Sequence, residues 1–529
     1  MSFTAYVLPL LLLVPFGAGV LLFALGKLQT LRTPVEFSAD TPPPPPEPAP
    51  PTPLHPAARL LAYTGFCLPA LYAVALCALF ANAVNPATGY AWLAQTPLEI
   101  SWLGVSLMFG LNGLSLPLFT LAALVGAAAG IQAIHGGADN KPAFLALLLF
   151  MLGAALAMFA SVDVFFFYFF HETALIPAFL LLLYWGGQGR RTAAIQMAVY
   201  LTFGAMATLA GILLLALKSG TTNLILLKAV FATAPLAAPT AGWIFGLLLL
   251  GFGVSAALFP FHSWAPAAYT EAPAPASMLL AGVFRQFGPY GLLQLGALLA
   301  PAGLVRWAPV LLWLALGNVV VIGVITLGQR HLKDLFSYAT VAQAGLCFLG
   351  VYACVAGGAV AQAGAGAAVF LMFGNGLATA ALFLLGHGVW QRTGALEFGS
   401  IGGGLAQRAP VLAAFFVAAA MAFLGLPGFA GFWGELGVFT ALSGAGLATW
   451  QLALVGAGVA IAAVTMLRAV AAVFFGPETA VFKARVEAHP VRDIAPNERA
   501  AAGLLLAAAL VAGFWPRLFG DALAAALQP

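Results

Sequence analysis

Phe259-Pro260-Phe261-His262-Ser263-Trp264-Ala265-Pro266, followed by Glu271-Ala272-Pro273, separates two apolar stretches, 240–260 and 275–299. Proline has no N–H to donate and its ring clashes with the preceding turn, so a helix entering this segment must break. His262, Trp264 and Glu271 cluster around the break. Each flank has about 20 apolar residues, the length that crosses a bilayer. The segment therefore reads as a discontinuous span beside a membrane-depth histidine. Irregular backbone at that depth is tolerated only where protein or a water-filled cavity surrounds it, a pattern of ion-pathway proteins.

The same reading extends along the chain. Of 529 residues, 7% are charged and 63% hydrophobic, whereas soluble domains are about 25% charged. A soluble enzyme, a nucleic-acid binder and a disordered chain are excluded. The sequence divides into about 14 apolar stretches of spanning length, near 4–26, 59–84, 111–134, 142–161, 164–185, 192–217, 240–260, 275–299, 306–327, 335–356, 365–389, 409–440, 449–474 and 499–517. Met1 to Leu13 lacks the basic start of a cleaved signal and is kept as a first span. The stretch 409–440 is too long for one straight helix, and Gly425-Leu426-Pro427-Gly428 breaks it. Thr41 to Pro56 is a proline-rich loop, expected to be extended and stiff.

The sides follow from the basic residues. Fifteen of the 20 Lys and Arg fall in odd-numbered loops; Lys218, Lys228, Arg306 and Arg517 fall in even loops or at the C-terminal end, and Arg285 inside a span. That bias puts odd loops in the cytoplasm and both termini outside. Cys67, Cys77, Cys347 and Cys354 have no CxxC spacing and read as small packing residues.

Ionisable groups at membrane depth cost roughly 2.5–3.5 kcal/mol each on insertion, and so are functional candidates. Glu172 follows Phe165-Phe166-Phe167-Tyr168-Phe169-Phe170-His171 in the fifth span. Arg285 and Gln286 lie in the eighth, Lys333 and Asp334 open the tenth, and Glu435 follows Gly431-Phe432-Trp433-Gly434 in the twelfth. Arg468 and His387 read more simply, as an interfacial and a packed side chain. The two breaks lie about five spans apart. This spacing predicts an all-α polytopic protein of about 14 transmembrane helices, with two inverted five-helix repeats, each containing a broken helix. Their expected bounds are 142–300 and 301–475, after N-terminal helices at 1–141 and before a loop and last helix at 476–529.

The segment 260–273, with Leu280-Ala281-Gly282-Val283 and Gly288-Pro289-Tyr290-Gly291, resembles the antiporter-like membrane subunits of respiratory complex I, NADH:quinone oxidoreductase, best its chain M, the subunit-4 type. Leu111-Asn112-Gly113-Leu114-Ser115-Leu116-Pro117, Glu172-Thr173-Ala174-Leu175-Ile176-Pro177, His331-Leu332-Lys333-Asp334-Leu335 with Tyr338, and Gly425-Leu426-Pro427-Gly428 before Gly434-Glu435 agree in order. The resemblance covers roughly 100–475. It implies a proton-translocating membrane-arm subunit in a bacterial inner membrane, a non-redox part of the enzyme. NAD, FMN, iron–sulfur clusters and quinone would sit in or be used by partner subunits, and this chain would hold no cofactor or metal. Expected partners are antiporter-like neighbours and lipid, not nucleic acid.

On that resemblance Glu172, Lys333 and Glu435 are proton-path residues, with His262 and Arg285 as further candidates. The family's span-seven lysine falls on Ser255 and its span-eight lysine on Gln286, while histidines usual in spans eleven and ten fall on Asn375 and Gln343. Arginine stays protonated, so Arg285 cannot cycle a proton as lysine does. Two alternatives stay open: a subunit of a multisubunit cation/proton antiporter or related redox-driven complex, and a non-pumping scaffold of the membrane arm. The largest antiporter-like subunit would add a long lateral helix, which is not expected here, about a dozen residues remaining after the last span.

Overall fold

A computed structural model describes residues 7–27, 54–100, 105–479, 482–484 and 491–527; most of the proline-rich loop therefore lies outside the described residues. The chain runs through α1 (Val7–Lys27), α2 (Pro56–Ala83), β1 (Val84–Asn85), β2 (Tyr90–Ile100), β3 (Val105–Leu111), α3 (Ser115–His135), α4 (Lys141–Ala160), α5 (Val164–Trp185), α6 (Arg190–Ser219), α7 (Leu224–Thr233), α8 (Ala238–Ser255), α9 (Trp264–Glu271), α10 (Ala274–Gly282) and α11 (Phe287–Gly291). It continues through α12 (Pro301–Leu316), α13 (Gly323–Leu327), α14 (Leu332–Ala353), α15 (Gly358–Thr393), the short α16 (Phe398–Ile401) and α17 (Leu405–Arg408), α18 (Pro410–Phe423), α19 (Ala430–Gly444), α20 (Thr449–Val470), α21 (Pro496–Phe514) and α22 (Arg517–Ala526).

Among the described residues, twelve helices are long and apolar enough to cross a membrane. The other two expected spans exist as fragments. The stretch 275–299 becomes α10, a 3-10 turn, α11 and a π stretch, as expected where Gly288 and Pro289 interrupt the backbone ladder. The stretch 409–440 becomes α18 and α19. Segment 264–271, expected to be loop, forms the helix α9, so the first break is a short gap at 256–263.

The all-α expectation needs one correction. β1, β2 and β3 form a three-stranded antiparallel sheet, order β1-β2-β3, with Val84 opposite Ala91 and Gln95 opposite Met108. The turn is local: Asn85 Oδ1 accepts from Ala87 N–H at 3.0 Å, and Gly89 takes φ 71°. Beyond β3, Asn112 Oδ1 accepts from the N–H groups of Leu114 (3.1 Å) and Ser115 (2.8 Å) and starts α3. Asp163 starts α5 in the same way, taking Phe165 N–H at 2.9 Å and the Thr222 hydroxyl at 2.6 Å.

Helices α3, α4, α14 and α15 are enclosed by their neighbours, with α15 buried along its apolar length. α1, α2, α6 and α21 turn large side chains outward, among them Leu71, Met206, Leu217 and Phe514. A water-facing surface would not carry such an apolar belt; hydrocarbon would surround it. Loop ends gather in sets. Val162 and Thr222 exchange backbone bonds with Leu224 and Val164, while Leu396 and Arg330 accept from Leu332 and Phe398.

Candidate functional site

The first break is held open by one amide. Asn318, in the π stretch after α12, accepts from Phe259 N–H at 2.5 Å through Oδ1, and its Nδ2 donates to the carbonyls of Ala257 (3.1 Å) and Val341 (2.8 Å). Two backbone groups that the break leaves without helical partners, Phe259 N–H and Ala257 C=O, are thereby satisfied, and the bond to Val341 anchors the amide to α14. Trp264 Nε1 donates to Val254 O at 3.0 Å across the gap, and Ser263 bonds Tyr200 and Gln196. His262 stacks on Phe259 at 5.8 Å; its Nδ1 is buried and has no partner among the described residues. Sequence reading missed Asn318, because an asparagine in an apolar run carries no periodic or spacing signal.

At the second break the geometry centres on an acid. Gly425 takes φ 60°, a conformation that penalises any Cβ, and a Cβ there would also lie 2.6 Å from Glu435 Oε2. The Glu435 side chain therefore folds over the break from the second turn of α19. Glu435 is 8% exposed, and its Oε1 finds no partner among the described residues.

Between the breaks lies Arg285, in the 3-10 turn after α10 and 1% exposed. Its Nε donates to Ala281 O at 3.3 Å, while Nη1 and Nη2 have no partner among the described residues. The same holds for Tyr269 Oη, Gln286 Oε1, Thr340 Oγ1, Gln343 Oε1 and both side-chain polar atoms of Asn375. These groups sit on α9, the α10–α11 turn, α14 and α15, and α14 packs against α9, α15 and α19. The Cys347 thiol on α14 lies within electrostatic reach of both Arg285 and Glu435. Buried polar groups without protein partners call for bound water, so the row suits water-borne proton transfer.

Other candidates fall elsewhere. Glu172 is not deep in the bundle: its side chain is 29% exposed on the flank of α5, with Oε1 2.8 Å from Nδ1 of the buried His171. Helical rotation decides this; His171 turns inward and Glu172, the next residue, outward. Lys333 enters the interior, donating from Nζ to Ala272 O at 2.5 Å. Arg468 donates to the carbonyls of Leu327 and Gln329, closing the end of α13, which fits a structural role. Ser255 returns its hydroxyl to Phe252 O at 3.0 Å in its own helix. His387 stacks on Trp390 at 5.4 Å. A buried ion pair escaped the sequence reading: Arg392 Nη2 lies 2.6 Å from Glu498 Oε2 and joins α15 to α21. Among the described residues, no group of three or more His, Cys, Asp or Glu could hold a metal ion.

Paired broken helices, a buried acid at one and a polar row between them define a polytopic membrane protein of the antiporter-like, ion-translocating class. Residues 161–467 match the family described as NADH:quinone oxidoreductase/Mrp antiporter, TM, and the chain belongs to that family. It is 33% identical over 435 residues to NAD(P)H-quinone oxidoreductase chain 4 of Picosynechococcus sp., across 81% of this chain and 78% of that one. A Synechococcus sp. chain 4 is 34% identical over the same length and coverage. A chain of respiratory complex I from Thermus thermophilus with bound NADH superposes with a TM-score of 0.79 at 29% identity, covering 98% of both chains. A chain of the Mrp complex from Dietzia sp. superposes with 0.78 at 20% identity, covering 99% of this chain and 97% of that one, a likeness of fold alone.

Proposed function

We propose that this chain is a proton-translocating membrane-arm subunit of an NADH:quinone oxidoreductase of the complex I type, coupling quinone reduction in other subunits to proton movement through its buried polar row. It would work as a non-redox subunit, with NAD, FMN, iron–sulfur clusters and quinone handled by its partners. Relatives named as chain 4 of NAD(P)H-quinone oxidoreductase support this reading. In the same proposal the chain crosses a bacterial inner membrane fourteen times, with two inverted repeats at 142–300 and 301–475 and both termini outside. The loop pairings support that path: turns that should share a side bond one another, as at Gly187 with Glu271 and Arg330 with Phe398.

The observation that carries the proposal is Glu435, a carboxyl enclosed at a helix break with one oxygen unmatched by protein. A desolvated carboxyl holds its proton until a positive charge approaches and releases it when one does. Lys333 and Glu172 serve as the cytoplasmic and flanking members of the path. Arg285 is a fixed positive charge, since a guanidinium keeps its proton, and His262 is the ionisable group at the first break.

Intact complex carrying Glu435→Gln or Glu172→Gln, reconstituted in vesicles, is expected to move fewer protons per NADH oxidised. Wild-type stoichiometry in both variants would sink the proposal. A specific observation favours a second reading, a non-pumping scaffold: the lysine positions of spans seven and eight hold Ser255, bonded within its own helix, and Gln286. In that case both variants pump normally, and only packing substitutions impair assembly.

A further inference from the structure

Glu271 ends α9, and both its carboxylate and its carbonyl turn toward the α5–α6 turn. Oε2 accepts from Gly189 N–H at 3.0 Å, and the carbonyl accepts from Gly187 N–H at 2.8 Å. The approach requires glycine: a Cβ on Gly187 would lie 2.4 Å from Oε2, and one on Gly189 2.8 Å from Oε1. Just beyond the helix end, Lys333 donates to Ala272 O. Among the described residues no carboxylate lies within ion-pair distance of its Nζ, but those of Glu271 and Asp334 are within electrostatic reach. Asp334 turns its oxygens elsewhere, Oδ1 to the Thr270 hydroxyl at 2.7 Å and Oδ2 to within 3.5 Å of His331 Nδ1.

We infer that Glu271 is the positioning residue for Lys333, supplying the negative charge that keeps the ammonium at the α9–α10 junction and tying that junction, through Gly187 and Gly189, to the helix that carries Glu172. A buried ammonium bonded only to a carbonyl is costly unless an opposite charge stands near, and the position of Glu271 meets that need. Helix α5, the α9–α10 junction and α14 thereby form one strut. A change of charge at Lys333 is then felt at the α5–α6 turn without a rearrangement of the core. The inference rests on the proton-translocating reading and adds to it a residue that the reading does not contain.

A double-mutant cycle tests it. Protons moved per NADH oxidised are measured in vesicles with intact complex carrying Glu271→Gln, Lys333→Met, or both. Glutamine keeps an acceptor for Gly189 N–H and removes only the charge. The two single variants are expected to lose the same fraction of the wild-type ratio, and the double variant to lose no more. Additive losses, or a wild-type ratio in Glu271→Gln, would overturn the inference. Gly189→Ala gives a second route, because its methyl displaces the carboxylate without altering any charge; it should reproduce the Glu271→Gln loss, and a wild-type ratio there also counts against the inference. Should Glu271→Gln fail to assemble, the double variant, which leaves no unpaired cation, is compared with Lys333→Met instead. A loss in Glu172→Gln and Glu435→Gln with a normal ratio in Glu271→Gln removes only this inference. Normal ratios in all of them remove the proton-translocating reading as well.

Discussion

The two helix breaks solve one backbone problem in different ways. At the first, side chains from three other elements meet the freed groups and the interior: Asn318 takes Phe259 and Ala257, Trp264 reaches back to Val254, and Ser263 meets Tyr200. Its ionisable group is a histidine stacked on a phenylalanine. At the second, the chain turns on glycine, and the space opened is filled by the carboxyl of Glu435. The first break is built as structure that carries a polar group. The second is built around the acid itself. The two breaks can therefore divide the work, one holding shape and the other holding charge.

The largest test of this contrast is Asn318→Leu. It leaves two backbone groups at the break without partners, each costing about 1–3 kcal/mol, so a total of about 2 kcal/mol or more is expected, with little assembled complex in native gels. Full assembly of that variant would show that the first break does not depend on the amide. Next comes Gly425→Ala. A Cβ at positive φ costs about 1–2 kcal/mol, and the methyl also meets Glu435 Oε2, so the complex should assemble yet pump at a reduced ratio, close to that of Glu435→Gln. If Gly425→Ala pumps normally, the glycine serves the turn alone.

The smallest effect concerns the approach to the second break. Asp493, in the loop before α21, accepts from the N–H groups of Val411 (2.9 Å) and Leu412 (3.0 Å) and so caps α18 from a distant segment. Burial works to raise its carboxyl, but the N–H groups of Val411, Ile494 and Leu412, with Arg499 near, outweigh this and hold it below the ordinary aspartate range. A depressed folded value means the cap's contribution is fully present above the unfolded value, about 3.9, and is lost as pH falls through the folded value. Asp493→Ala should cost about 1 kcal/mol at neutral pH, the usual worth of a cap. It should also flatten the acid side of the thermal stability profile, and an unchanged profile would show that the cap adds nothing.

Much of the architecture could be read directly. Proline and glycine at 260–266 and 425–428 announced both breaks, and apolar length announced the spans. The sheet of β1, β2 and β3 was hidden because its strands adjoin spans and share their apolar composition, so the turn residues Asn85 and Gly89 were the only signal. Helix α22 was hidden by its length, about half that of a span. Of the candidate acids, sequence placed Glu172 and Glu435 on equal footing. The structure separates them, with Glu435 enclosed and Glu172 on the flank.

What the sequence determined by itself was local: where the chain is apolar enough to cross, and where a missing N–H breaks a helix. Those properties depend on transfer energy and backbone donors within one segment. Only the tertiary structure decided partners: Asn318 with Phe259 across 59 residues, Glu271 with Gly189 across 82, Arg392 with Glu498 across 106. In a membrane, lipid-facing and helix-facing residues are similarly apolar, so hydropathy cannot report how a helix is rotated about its axis. Packing sets that rotation, and with it which charges meet.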